Sequence, residues 1–365
     1  MTTTSITDVR VFDGIRLLDG PHRVRIDDGV IAAIEPAADP GRPSSADQLS
    51  VDGRGATLLP GLIDAHVHLT GVDDLKTLAA HGITSALDMG TWPSALVADL
   101  RRAEKVTDIR SVGAPAVGPG GGHARIPGLP VDSIISTPDD ARALVRARVA
   151  EGADFIKVVT ERRGGGGPDQ QCIDALVEAA HAHGKVVIAH ASVVGAVAMS
   201  QAAGVDVLTH APIDAVLDDD AVAQIVDAGR VVVPTLTMME GVVRNVGRPQ
   251  IDYRHARDSV AALHRAGVPV VAGTDANSSP GVPASVPHGS SLHHELELLV
   301  AAGLSPTEAL QSATSVTARH FGLADRGLIE VGRRADLVLV DGDPTADITA
   351  TSHLRGVWID GEKIL

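Results

Sequence analysis

From Gly82 to Asp275 the chain repeats one pattern: an alanine-rich stretch with helical spacing of apolar residues, a glycine, then a short β-branched run. Gly82-Ile83-Thr84, Gly152-Ala153-Asp154-Phe155-Ile156, Gly184-Lys185-Val186-Val187-Ile188, Gly204-Val205-Asp206-Val207-Leu208, Gly229-Arg230-Val231-Val232-Val233 and Gly267-Val268-Pro269-Val270-Val271 are copies of it. A glycine after a helical stretch predicts a left-handed cap. The apolar run that follows predicts a strand covered on both faces, as in parallel sheets. Helix alternating with buried strand predicts βαβ units. With Leu58–Ile63 as the first strand and Arg110–Gly113 as the third, the count reaches eight. About 250 residues is the usual span of an α/β fold of this kind, the (β/α)8 TIM barrel, and residues 57–325 are assigned to it.

The two ends follow a different period. Residues 5–56 carry short alternating runs separated by Asp13-Gly14, Asp27-Asp28-Gly29 and Asp52-Gly53. The C-terminal part carries Leu337-Val338-Leu339-Val340 and Val357-Trp358-Ile359-Asp360-Gly361. Asp-Gly between apolar runs predicts tight hairpins. The chain therefore reads as a β-rich part at 1–56, the barrel at 57–325 and a second β-rich part at 326–365. Two glycine-rich loops, residues 118–123 and 164–168, follow barrel strands and read as flexible. A third loop, 276–288, has prolines and glycines that suit a lid.

The candidate chemistry sits at strand ends, where barrel active sites lie. His66 and His68 are two apart on a strand, so both imidazoles present one face, expected to be the barrel interior. Neutral imidazoles are good zinc ligands. His181 and His183 share that spacing but end a helical stretch, where residues two apart diverge, and are expected at the surface. Lys157 ends an otherwise apolar strand, where a buried ammonium is costly unless neutralised or paired. A lysine with a depressed pKa is a nucleophile. Lys185 starts its strand and belongs to the opposite end. His190, His210 and Asp275 close three further strands.

His-x-His, Lys, His, His and Asp in this order resemble the amidohydrolase superfamily, in its imidazolonepropionase and prolidase-like branch. The resemblance covers nearly the whole chain and implies a barrel flanked by a small β-sandwich built from both chain ends. It implies two divalent ions, with zinc expected, and a CO2-carboxylated Lys157 bridging them. His66, His68 and Asp275 would serve the first ion and His190 and His210 the second. Asp275 would move a proton from the activated water to the leaving group. His123, after three glycines, resembles a Gly-Gly-His segment of prolidase-like members that helps bind a substrate carbonyl or carboxylate; His123 and His210 join Asp275 as catalytic candidates. Arg125, Arg162 and Arg163 flank the same loops and suit a substrate carboxylate. His288 and Met239 complete the substrate-binding candidates, Met238 and Met239 as an apolar pocket wall.

The family's tyrosine after Pro234-Thr235-Leu236 is replaced by Thr237-Met238-Met239 here, and the only tyrosine is Tyr253. That departure weakens the case for a dipeptidase. The expected activity is hydrolysis of an amide, cyclic amide or ester, with N-acyl amino acids and dipeptide-like molecules as candidate substrates. A mononuclear deaminase would lack the bridging lysine and carry His-x-x-Glu, which follows neither His190 nor His210. A non-catalytic metal scaffold is the third reading, against which stand six intact metal positions.

Composition narrows the partners. Asp and Glu total 46 against 31 Lys and Arg, a formal charge of -15, which argues against nucleic acid or an anionic membrane and leaves a small molecule. A single cysteine, Cys172, excludes an internal disulfide framework and fits a reducing compartment. No basic-then-apolar leader and no membrane-length apolar run is visible, so a cytoplasmic location is expected. A homo-oligomer is compatible with all of this.

Overall fold

Each helical stretch ends where the pattern puts its glycine: Gly82, Gly152, Gly184, Gly204, Gly229 and Gly267 all have φ between 62° and 82°. The computed structural model describes residues 3–37, 49–279 and 281–365. Parts of the expected N-terminal unit (1–2 and 38–48) and Pro280 of the loop 276–288 lie outside the described residues.

The chain opens with β1 (Thr3–Val11), β2 (His22–Asp27), β3 (Val30–Pro36), β4 (Leu49–Asp52) and β5 (Thr57–Pro60). Asp28 and Gly29, both with positive φ, make the tight turn between β2 and β3, as the Asp-Gly signal predicts. After β5 the chain enters β6 (Leu62–Val67), α1 (Val72–Ala80), β7 (Ile83–Asp88), α2 (Ser94–Arg102) and β8 (Asp108–Ser111). Then come α3 (Pro138–Ala150), β9 (Ile156–Val159), α4 (Gln170–Ala182), β10 (Val187–His190), α5 (Val194–Ala203), β11 (Val207–Thr209) and α6 (Asp219–Asp227). β12 (Val231–Val233), α7 (Leu236–Val246), α8 (Tyr253–Arg265), α9 (Ser290–Ala301), α10 (Pro306–Ser312) and α11 (Ser315–His320) follow. β13 (Leu337–Val340), β14 (Leu354–Ile359) and β15 (Glu362–Lys363) end the chain.

Two parallel sheets result, β6-β7-β8 and β12-β11-β10-β9. Hydrogen bonds link them at both ends. Asp154 N donates to Ser111 O (2.8 Å) and Ala116 N to Lys157 O (2.9 Å), which ties β8 and its continuation to β9. Residues 270–276 run between β12 and β6, with Val271 N donating to Val232 O (3.0 Å) and Ala65 N to Ala272 O (2.9 Å). One apolar cluster takes alternate residues from the strands and the segments continuing them, among them Ile63, Leu87, Phe155, Ile188, Val207, Val231 and Val271, and none from α1–α9. The larger core lies where the other strand faces meet the helices. β1–β5 and β13–β15 join in one eight-stranded sheet made from both chain ends. Buried Arg326, between α11 and β13, reaches the parallel strands β7 and β8 through Ser85 Oγ (2.9 Å) and Asp108 Oδ2 (2.6 Å).

Three sequence expectations shift. The run Leu58–Ile63 is two strands, because Gly61 breaks it: its N–H donates to Asp336 O (2.7 Å), and a Cβ there would meet the Thr84 side chain at 2.1 Å. β5 therefore belongs to the terminal sheet and β6 alone to the parallel one. The third strand is Asp108–Ser111, two residues earlier than expected. Lys157 lies inside β9 rather than at its end.

Candidate metal centre

Parallel strands end on one side, so residues near their C-termini converge. His66 Nε2 and His68 Nε2 lie 3.4 and 3.1 Å from one oxygen of Asp275, and ligand atoms of all three fall within 4.8 Å of one another. His190 Nδ1 and His210 Nε2 are 2.8 Å apart, somewhat less than the about 3.3 Å between two nitrogens on one tetrahedral zinc. The imidazoles form a continuous row, with ring centroids 5.4 Å apart for His66–His68, 5.0 Å for His66–His210 and 4.5 Å for His190–His210. Lys157 is buried among them, 4% exposed, and its Nζ has no hydrogen-bond partner among the described residues. Its charge acts on His66, His190, His210 and Asp275. The six residues predicted to ligate metal are thus brought together.

Local chemistry holds each ring. His66 Nδ1 lies 2.9 Å from Thr209 Oγ1, His210 Nδ1 2.5 Å from Thr235 Oγ1, and His68 Nδ1 3.4 Å from Gly90 O. Engaging Nδ1 from outside leaves Nε2 free for an ion, the usual support of a metal-bound histidine. His190 is reversed: its Nε2 faces Ser192 Oγ at 3.5 Å and its Nδ1 points inward. Strict alternation along β6 would send His66 away from the face of Ile63 and Ala65. A register shift between Asp64 and Val67 in the pairing with β7 turns the histidines inward, as β-bulges do. Asp64 then welds this strand to residues 270–276, accepting from His66 N (3.1 Å), Thr274 N (3.0 Å) and Thr274 Oγ1 (2.7 Å). Asp275 follows with φ 58°, a left-handed conformation unfavourable for a side chain with a Cβ, and its N–H donates to His66 O at 2.8 Å.

The electrostatics suit cation binding. Burial, helped by the neighbouring positive groups, holds His66 and His190 well below the usual histidine range, and burial brings His210 down to about 3. These rings are neutral at physiological pH, the form that ligates metals. Burial also pulls His68 down, but the hydrogen bond and charge of Asp275 outweigh it and raise the ring. Asp275 is pushed up by burial yet ends below its ordinary value because of His68, His210 and Lys157. Burial takes Lys157 down to about 7, against the opposing pull of Asp275 and Asp88. Near neutral pH a large fraction of it is the free amine.

The rim residues divide. His123 stacks edge-on against His190, centroids 4.9 Å apart, and burial lowers its pKa. Arg125, Arg162 and Arg163 are exposed. His288 is buried, with Nε2 2.9 Å from His68 O and Nδ1 3.6 Å from Asp74, so it braces the backbone that carries His68. Met238 and Met239 are buried in the main core in the first turn of α7. The glycine-rich loops interlock: Gly120 N donates to Gly166 O (3.0 Å), and a Cβ at Gly118 or Gly166 would strike the other loop's backbone at 2.1 or 2.3 Å. Close packing of bare backbone, rather than flexibility, is what these glycines permit.

Residues 57–364 match the model of the amidohydrolase family. This chain belongs to the amidohydrolase family. An imidazolonepropionase of Ectopseudomonas mendocina (strain ymp) is 29% identical, covering 98% of this chain and 96% of that one. An uncharacterized protein of Mycobacterium tuberculosis (strain ATCC 25618 / H37Rv) is 30% identical across 80% of each chain. Among solved structures, a Xaa-Pro dipeptidase with bound methionine in its active site superposes with a TM-score of 0.84 at 23% identity, covering 99% of both chains. An A. niger ochratoxinase gives 0.78 at 20% identity, covering 99% of this chain and 95% of that one. The likeness to these structures is one of fold, TIM-barrel-like. As an amidohydrolase it is a hydrolase. Among the described residues no helix is long and apolar enough to cross a membrane.

Sequence reasoning missed the groups that support this amidohydrolase site. Asp64 and Glu295 are carboxylates in apolar surroundings, fully buried, and burial raises both to about 7. The rule that singled out Lys157, a charge inside an apolar run, applies to Asp64 in Leu62-Ile63-Asp64-Ala65, but not to Glu295, whose neighbours include His293, His294 and Glu297. Thr209 and Thr235 gave no signal, since threonine is ordinary in strands and at turns.

Proposed function

We propose that this amidohydrolase is a binuclear metal-dependent enzyme that hydrolyses an amide, cyclic amide or ester, on a closed (β/α)8 barrel at 61–325 flanked by a β-sandwich built from the two chain ends. The observation that carries the reading is Lys157. A lysine amine that is buried, unpartnered and brought to about 7, beside four imidazoles and a carboxylate, is a poor structural element. It is a good site for carboxylation, since the free amine is the form that adds to CO2, and the carbamate would give the orphaned position two oxygens for bridging.

The donor set supports two ions, with His66, His68 and Asp275 at one, His190 and His210 at the other, and carboxylated Lys157 between; imidazole and carboxylate donors suit zinc. When bound, the ions would supply Lewis acidity and a water acidic enough to ionise near neutral pH. The chain's own part is to move protons and hold substrate. Asp275, fixed by its backbone bond to His66 and depressed below the ordinary carboxylate range, accepts a proton and delivers it to the leaving group. His123, neutral and beside His190, binds the scissile carbonyl, and His210 orients the same centre. Arg125, Arg162 and Arg163 near the mouth recruit a carboxylate-bearing small molecule, of the N-acyl amino acid or dipeptide-like kind.

Elemental analysis of protein loaded with zinc and bicarbonate tests the reading. Two ions per chain are expected, falling to one or none in Lys157→Ala together with turnover of N-acyl amino acids. A single ion that is unchanged in Lys157→Ala would overturn the bridged centre.

A further inference from the structure

Thr235 begins α7 as its N-cap, yet its side chain caps nothing: its hydroxyl lies 2.5 Å from His210 Nδ1. A threonine at a helix start ordinarily accepts from the amides of the first turn. Here those amides go elsewhere. Leu236 N donates to Glu295 Oε1 at 2.9 Å, Thr237 N to Glu295 Oε2 at 2.7 Å and Thr237 Oγ1 to the same oxygen at 2.8 Å. Glu295 comes from α9, fifty-eight and more residues further along the chain, and has no exposure to solvent. It is a cap supplied in trans by another helix. Thr235 also sits at φ 48°, ψ 49°, a left-handed conformation that a β-branched residue avoids unless its surroundings impose it. Two adjacent anomalies, a non-capping N-cap and a buried foreign carboxylate, have one explanation.

We propose that Glu295 is a positioning residue: by capping α7 in place of Thr235 it frees the Thr235 hydroxyl for His210 Nδ1 and holds the left-handed turn, so that His210 keeps Nε2 directed at the metal centre. Thr235 is the intermediary, and neither residue touches substrate. The inference rests on the reading of His210 as a ligand given above. It accounts for a glutamate in the apolar helix face Leu292–Leu296, where capping a remote helix alone would not require the hydroxyl of Thr235 to face a histidine.

The test compares Glu295→Gln, Thr235→Val and Thr235→Ser with the full-length parent. Gln places an NH2 group against amides that need acceptors. Val keeps the shape of threonine without the hydroxyl, and Ser keeps the hydroxyl. Long-range 15N–1H spectra of the metal-free proteins report the tautomer of His210, assigned by its loss in His210→Asn. The parent and Thr235→Ser should show proton on Nδ1, whereas Glu295→Gln and Thr235→Val should show a mixture or the opposite tautomer. Zinc competition against a chromogenic chelator should show the affinity of one of the two ions falling at least tenfold in Glu295→Gln and Thr235→Val, and staying within threefold in Thr235→Ser. An unchanged His210 tautomer in both Glu295→Gln and Thr235→Val overturns the proposal. So does a lowered melting temperature in Glu295→Gln with tautomer and zinc affinity intact, which assigns Glu295 to helix stability alone. If the parent binds a single ion, the binuclear reading fails, while the tautomer arm still decides the role of Glu295.

Discussion

At the scale of single residues, Asp275 carries two duties that substitution can separate. One of its oxygens lies near His66 and His68, and the other lies 3.8 Å from His210 Nδ1. Asp275→Asn retains an oxygen donor and the backbone bond to His66, so fold and most metal should persist while kcat falls roughly 10²-fold or more, the usual loss with a general base. Steady-state kinetics beside metal analysis checks this, and near-parental kcat would assign the proton to another group. The rim makes a second prediction. If the exposed Arg125, Arg162 and Arg163 bind a substrate carboxylate, each bond is worth about 1.5–3 kcal/mol, so a carboxylate-bearing amide should be cleaved with higher kcat/KM than its methyl ester. Neutralising one arginine should raise KM, since ground-state binding is what it contributes, and His123→Ala should lower kcat. Equal kcat/KM for charged and neutral partners would sink the carboxylate idea.

At the scale of elements, the site depends on how β6 meets residues 270–276. The bulge that turns His66 and His68 inward weakens the pairing with β7, and Asp64 compensates by accepting two hydrogen bonds from Thr274, in the segment that carries Asp275, and one from His66 N in its own strand. Asp64→Leu keeps a side chain of similar length but removes every acceptor from a site without water access. A loss of about 1–3 kcal/mol is expected, the cost of leaving buried donors unmatched, read from urea denaturation of the metal-free protein. Zinc affinity should fall with it, because His66 and Asp275 lose their common anchor. Stability within about 0.5 kcal/mol of the parent, the range of an ordinary surface change, would show that the weld is dispensable.

At the scale of the whole molecule, distant parts are joined by buried polar contacts, and one of them titrates. His293 on α9 lies 3.1 Å from His81 O, at the end of α1, and 3.1 Å from Thr351 Oγ1 in the C-terminal region. Burial brings it down to about 4 from an ordinary 6.5. The folded state therefore holds fewer protons than the unfolded chain between those values, so stability is complete above pH 6.5 and declines as pH falls toward 4, by up to about 3 kcal/mol. Denaturation at pH 7.5, 5.5 and 4.5 should show this decline in the parent and a flatter one in His293→Gln. Parallel pH profiles for the two proteins would mean that His293 does not set the acid limit.

What the sequence determined by itself was everything that follows from period and punctuation. The glycine after each helical stretch needs positive φ whatever the tertiary context, and Gly82, Gly152, Gly184, Gly204, Gly229 and Gly267 have it. Alternating helix and buried strand specifies parallel units, and a charge in an apolar run, as at Lys157, has to be explained by chemistry. The tertiary structure decided matters that depend on neighbours remote in sequence. Gly61 ends a strand because Thr84 and Asp336 crowd it, and His66 faces inward because β7 accepts a register shift. Thr235 turns to His210 because Glu295, from a helix beyond two others, takes the amides it would have capped. A local pattern records which groups a residue prefers to meet; only the folded chain determines which of them arrive.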